Sequence, residues 1–181
     1  MSHPAMTRLR QVLPPPPSGG DTVDWEGLSR AEGLTLPSDY REYVEVYGGG
    51  EIDEYLSIST PPVPGSAYDD LLDGFTPALR PEDETELAPY FPGGGPLKLL
   101  TFGGTASADE LIWLRVGDPD SWKIAVFRRQ TPHGRSGWTV FDGGMAELLL
   151  AVFDGTVDPF SARTMRRESH TFLTWHDIRN L

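Results

Sequence analysis

Carboxylates are the one chemical resource this chain holds in quantity, with 27 Asp and Glu against 15 Lys and Arg in 181 residues. The densest cluster is Asp69-Asp70-Leu71-Leu72-Asp73. On a helical turn it would present three carboxylates, with Asp69 and Asp73 at the i, i+4 spacing. Like charges so placed repel, and they would welcome Mg²⁺, Ca²⁺ or basic side chains. A calcium loop of the EF-hand type needs a longer alternating pattern, so no metal or cofactor is expected. Two acids can divide acid and base roles, which keeps a carboxylate-dependent hydrolase open. A second acidic group, Glu51, Asp53 and Glu54, follows Gly48-Gly49-Gly50. The plain account of both groups is a solvated acidic surface.

Other chemistry finds little support. The chain has no cysteine, which excludes disulfides, cysteine nucleophiles and cysteine zinc sites. His3, His133, His170 and His176 include no i, i+4 pair and no His-Glu-x-x-His. Neither Gly48-Gly49-Gly50 nor Gly93-Gly94-Gly95 runs on into the Gly-Lys-Ser/Thr of a phosphate loop. Ser136 is not in the Gly-x-Ser-x-Gly of a nucleophile elbow, because Trp138 stands where the second glycine is needed. No catalytic residue is expected.

The elements that would position these residues are legible in places. Pro37 bars a helix from running in from upstream, and Ser38 is a candidate cap. Tyr40, Tyr43, Val44 and Tyr47 then recur at helical period, and the triple glycine ends the helix. A first helix is expected near 23–32, with Trp25 and Leu28 inward. Met145, Leu148, Leu149, Val152 and Phe153 mark another near 145–153. Strands are expected at Tyr55–Ile58, from Leu97, at Leu111–Val116, at Trp122–Phe127 and at Trp138–Phe141. Short connections between the later strands imply antiparallel neighbours. The expected fold is therefore a single α+β domain, with a mainly antiparallel sheet of five or more strands packed with helices.

Domain limits follow from composition. Residues 1–20 end in Pro14-Pro15-Pro16-Pro17-Ser18-Gly19-Gly20 and read as a flexible, dispensable tail. Residues 21–157 read as the domain, and 158–181 as a basic extension that can dock. Residues 60–96 form an irregular, proline-broken insertion, with a turn or two of helix at Glu82–Leu87. No apolar run reaches the length of a signal peptide or a spanning helix, so the expectation is a cytoplasmic protein.

Charge is uneven. Residues 1–20 carry +2, residues 21–120 carry −16 and residues 121–181 carry +2. A field this negative disfavours nucleic acid and anionic membranes and favours a basic partner. Tyr47 and Tyr55, beside the acids that follow the triple glycine, are the aromatic interface candidates.

One resemblance is specific enough to state. Trp25, Gly33 and the Leu36-Pro37-x-Asp39-Tyr40-Arg41 entry precede the glycine-ended helix with Gly49. Phe102-Gly103, Asp109, Trp113, Gly117-Asp118-Pro119, Trp122, Trp138 and the helix after Gly144 follow in order. From about Trp25 to Phe153 this pattern resembles the SUKH superfamily, which includes a fungal cell-wall regulator and many bacterial immunity proteins. The resemblance implies a structural role for Trp25, Leu36, Pro37, Tyr40, Gly49, Gly103, Asp109 and Trp113. It also implies a non-enzymatic protein that binds a cognate toxin domain, or else a regulatory scaffold of the same superfamily. Joined to the charge, it makes Glu51, Asp53, Glu54, Asp69, Asp70 and Asp73 the expected partner-binding residues, facing a toxin with a basic surface.

Overall fold

The computed structural model describes residues 3–64, 66, 71–72 and 79–179. Its centre is a seven-stranded antiparallel sheet in the order β6-β5-β4-β3-β2-β1-β7. The strands are β1 (Gly50–Ile52), β2 (Leu56–Ile58), β3 (Leu99–Thr105), β4 (Glu110–Leu114), β5 (Lys123–Phe127), β6 (Trp138–Phe141) and β7 (Phe172–Thr174). The sheet is an open meander whose far edge is completed by the C-terminal strand, and the α+β expectation holds.

Alternation decides what each face carries. Ile52, Leu56, Ile58, Phe102, Leu111, Trp113, Ile124 and Val126 point to the front and are buried. They meet α1 (Pro4–Val12), α2 (Trp25–Glu32), α3 (Ser38–Tyr47) and α5 (Met145–Asp154). On the back, Leu99, Ile112, Leu114, Ala125 and Trp138 form a smaller cluster with Leu87 and Phe91. Leu87 closes α4 (Pro81–Leu87), which lies inside the irregular region and runs into a 3-10 turn at Ala88–Tyr90. A terminal helix, α6 (Trp175–Ile178), follows β7 directly.

The family-like residues meet in the front core. Trp25 packs edge-on to Tyr40, with ring centroids 6.4 Å apart. Tyr40 meets Trp113 edge-on at 4.8 Å, and Trp113 stacks on Phe102 at 4.1 Å. The Tyr40 hydroxyl donates to the Ser59 carbonyl at 2.6 Å, so its one polar atom is satisfied. Leu36 and Pro37 are buried beside it. Gly49 and Gly103 are close-approach positions. A Cβ on Gly49 would lie 2.6 Å from Trp175 Cδ1, and one on Gly103 would lie 2.5 Å from the Ser57 carbonyl oxygen. Trp113→Ala should cost about 3–5 kcal/mol, because the void would sit among rings that cannot collapse. The denaturation midpoint measures this, and an unchanged midpoint would contradict the packing.

Three expectations are corrected. The expected tail of residues 1–20 is, over the described residues 3–20, no loose segment: α1 buries Met6 and Leu9 completely, and Leu13 follows them into the core. Pro4 suits the first turn of that helix because its missing N–H is not needed there. Tyr47 is no interface residue either; it is buried, and its hydroxyl donates to the Leu13 carbonyl at 2.6 Å. Ser38 makes no side-chain cap. It is the first helical residue of α3, and its N–H donates to Asp120.

Candidate functional site: an acidic trough on the back of the sheet

The strand registers line up one row across the back face. Leu173 of β7 pairs with Glu51, Glu51 with Ser57 and Ser57 with Gly104. Gly104 then pairs with Glu110, Glu110 with Phe127 and Phe127 with Trp138. Paired residues in an antiparallel sheet share a face, so the row alternates in character. It is bulky at both ends and has two small residues, Ser57 and Gly104, between two glutamates. The small pair floors a trough of about 380 Å³, lined also by Tyr55, Ser59, Thr101 and Gly103. Glu51 and Glu110 are three strands apart, about 14 Å at the usual strand spacing. Each carboxylate therefore stands at one side of the floor.

The two rims differ. Glu51 is half-buried at the centre of β1 and forms no salt bridge among the described residues. Glu110 opens β4, and its Oε2 is buried without a hydrogen-bond partner. Burial pushes the Glu110 carboxyl up, and only the Arg129 guanidinium opposes the shift.

The remaining expected binding residues fare differently. Glu54 is exposed in the β1–β2 turn and does not line the trough. Asp53 turns inward instead and is only 4% exposed in its side chain. It accepts from the Thr171 N–H at 2.9 Å and lies 2.7 Å from His170 Nδ1. Arg163 donates to the Asp53 carbonyl at 2.6 Å, and its guanidinium lies over the Tyr55 ring. Asp53 thus clasps the C-terminal extension to the sheet and is not presented to a partner. Tyr55, the other aromatic candidate, is buried beneath Arg163 and edge-on to Phe160, although it also lines the trough. Asp69, Asp70 and Asp73 lie outside the described residues.

Burial alone would raise the Asp53 carboxyl, but the Thr171 N–H and the His170 ring hold it below the usual carboxylate range. A carboxyl depressed in the folded state stabilises above its unfolded value, near pH 4, and that contribution is lost as pH falls through the folded value. Acidification below about pH 4 should therefore loosen the extension. Amide exchange at Thr171 and Leu173 should rise in the wild type below that pH, and at neutral pH in Asp53→Asn. Equal protection of wild type and variant at neutral pH would contradict the clasp.

Asp109 anchors the rim of the trough from beneath. It is fully buried and accepts from Thr105 Oγ1, the Arg129 N–H and the Ser161 N–H, each at 2.9 Å, and from the Ser161 hydroxyl. One carboxylate thus ties the β3–β4 turn, the exit of β5 and the C-terminal extension together.

Nothing among the described residues assembles a metal centre: no three His, Asp or Glu side chains group as ligands. His170 pairs with Asp53 and His176 with Asp21. No described helix is long and apolar enough to cross a membrane. No family model matches the chain, and no curated protein or solved structure matches it.

Sequence reasoning named Glu51 and Glu54 but passed over Glu110, which stands alone between Asp109 and an apolar strand. Its available signal was position: it is the single acid on a strand otherwise reading Leu-Ile-Trp-Leu.

Proposed function

We propose that this chain is a non-enzymatic binding protein of the SUKH type, an immunity protein that neutralises a toxin domain by seating that domain's basic side chains in the acidic trough. One observation carries the reading. Among the described residues, the back face leaves Ser57 and Gly104 uncovered between Glu51 and Glu110, while α4 covers the apolar half of the same face. An uncovered small-residue floor lets a partner approach the sheet closely. Two carboxylates at its rims select lysine or arginine over other side chains. The −16 carried by residues 21–120 would speed encounter with a basic partner. Order and spacing of the family-like residues support the superfamily. A regulatory scaffold remains the second reading and would use the same trough.

The test is retention from a lysate of the native cell on immobilised wild type, Glu51→Lys and Ser57→Arg. The reading predicts a protein with a basic surface on the wild type alone, because Ser57→Arg fills the floor and sets a positive charge between the two glutamates, and Glu51→Lys removes the acidic excess of the rims. Equal retention on all three would remove the trough from the account.

A further inference from the structure

The β5–β6 connection carries charge of the opposite sign. Between Asp120 and Asp142 the chain holds Lys123, Arg128, Arg129 and Arg135 and no acid at all, inside a protein of net charge −12. Three of these arginines line a cleft of about 480 Å³ on the far side of Glu110 from the trough. That volume falls within the range of small-ligand sites, about 300–1,000 Å³.

The arginines are not spent on internal pairs. Arg128, Arg129 and Arg135 form no salt bridge among the described residues. Arg128 Nε is buried with no acceptor, and its Nη2 reaches only the Ser161 carbonyl, at 3.5 Å. In a chain with nearly two acids per base, three neighbouring arginines with no salt bridge and only the Glu110 carboxyl between them are unexpected. Arg80, on the same wall, is cancelled by Asp83, which it holds through two contacts at 3.0 and 3.1 Å. With that pair set aside, three guanidinium groups face the single carboxyl of Glu110, an excess of two positive charges.

The loop is also held in place. Its base is fixed where the Arg128 N–H donates to the Gly137 carbonyl at 2.7 Å and the Arg129 N–H donates to Asp109 at 2.9 Å. The Gln130 N–H donates to Ser161 Oγ at 3.0 Å. Its far limb is fixed to α4, where Ser136 donates to Glu86 and Trp138 Nε1 donates to Asp83 at 2.9 Å. A charged loop anchored at both limbs loses little freedom when a ligand arrives.

We propose that this cleft is an oxyanion site for a phosphate group, either free or as a monoester. Guanidinium forks match phosphate oxygens, and a phosphate of charge about −1.5 to −2 neutralises the excess. The Phe127 ring forms part of the wall and offers an apolar surface to the organic part of an ester. The site shares Glu110 with the trough but otherwise uses the β5–β6 connection rather than β1 and β2.

The test is titration of the ¹⁵N-labelled full chain with inorganic phosphate, with adenosine monophosphate and with sodium chloride at matched ionic strength. Saturable amide shifts confined to 128–137 are expected with a phosphate compound and not with chloride. The tighter of the two phosphate compounds identifies the source. Arg129→Gln with Arg135→Gln should weaken binding at least about tenfold, and Glu51→Lys should leave it unchanged. Both arginines are exposed, so the fold should persist, and the unperturbed remainder of the spectrum checks this. Equal shifts with chloride, no saturable shift with either phosphate compound, or undiminished binding by the double variant would each overturn the assignment.

Discussion

Removing residues 1–13 is expected to take the domain to the edge of its stability or beyond it. Met6, Leu9 and Leu13 are fully buried among α3, α5 and the segment before β7. Each such side chain is worth about 1.5–3 kcal/mol when buried, so the three together approach the whole stability of a domain, about 5–15 kcal/mol. Polar losses add to this. The Tyr47 hydroxyl would lose the Leu13 carbonyl, and the His170 N–H would lose the Val12 carbonyl at 2.8 Å. A buried hydroxyl left without its acceptor is costly in its own right. Thermal and urea unfolding should show a melting temperature lower by at least about 10 °C, or no cooperative transition. A melting temperature within about 2 °C of the full chain would contradict the docked helix.

Asp109→Ala should also produce a large loss, about 3–5 kcal/mol. The carboxylate accepts four hydrogen bonds from three segments, and alanine would strand their donors in a buried place. The damage should be local as well as global. Amide exchange should rise first at Arg129 and Ser161, whose N–H groups lose their acceptor. A loss below about 1 kcal/mol would mean that those donors find other partners. Asp109 is one of the residues that the family resemblance marks as structural, and these bonds give that mark a physical content.

What could be read from the sequence was what is local. α3 announces itself through four apolar residues at helical period and a proline before them, and it appears at Ser38–Tyr47. The strands β4, β5 and β6 are aromatic and β-branched runs between turns, and each lies within two residues of its expected place. The hidden parts depend on distant partners. β1 and β7 are three residues long, and β7 finds its register against β1 across more than a hundred residues. α1 was obscured by the polyproline run behind it, although Met6, Leu9 and Leu13 do fall at i, i+3 and i+7. The same limit governed the site. Glu51 was found because it follows a conspicuous triple glycine. Asp53 looked equally exposed, yet its partners are His170 and Thr171, which no local pattern connects to it. Glu110 gains its role only from the register that sets it across the trough from Glu51.

The proposed function is stoichiometric binding through the acidic trough on the back of the sheet. The most direct measurement is the association rate of the retained partner with wild type and with Glu51→Lys, followed across ionic strength. The account predicts a wild-type rate that falls steeply as salt rises, and a variant that associates at least about tenfold more slowly at low salt with the wild-type melting temperature. A rate that is independent of salt and equal in both proteins would contradict it.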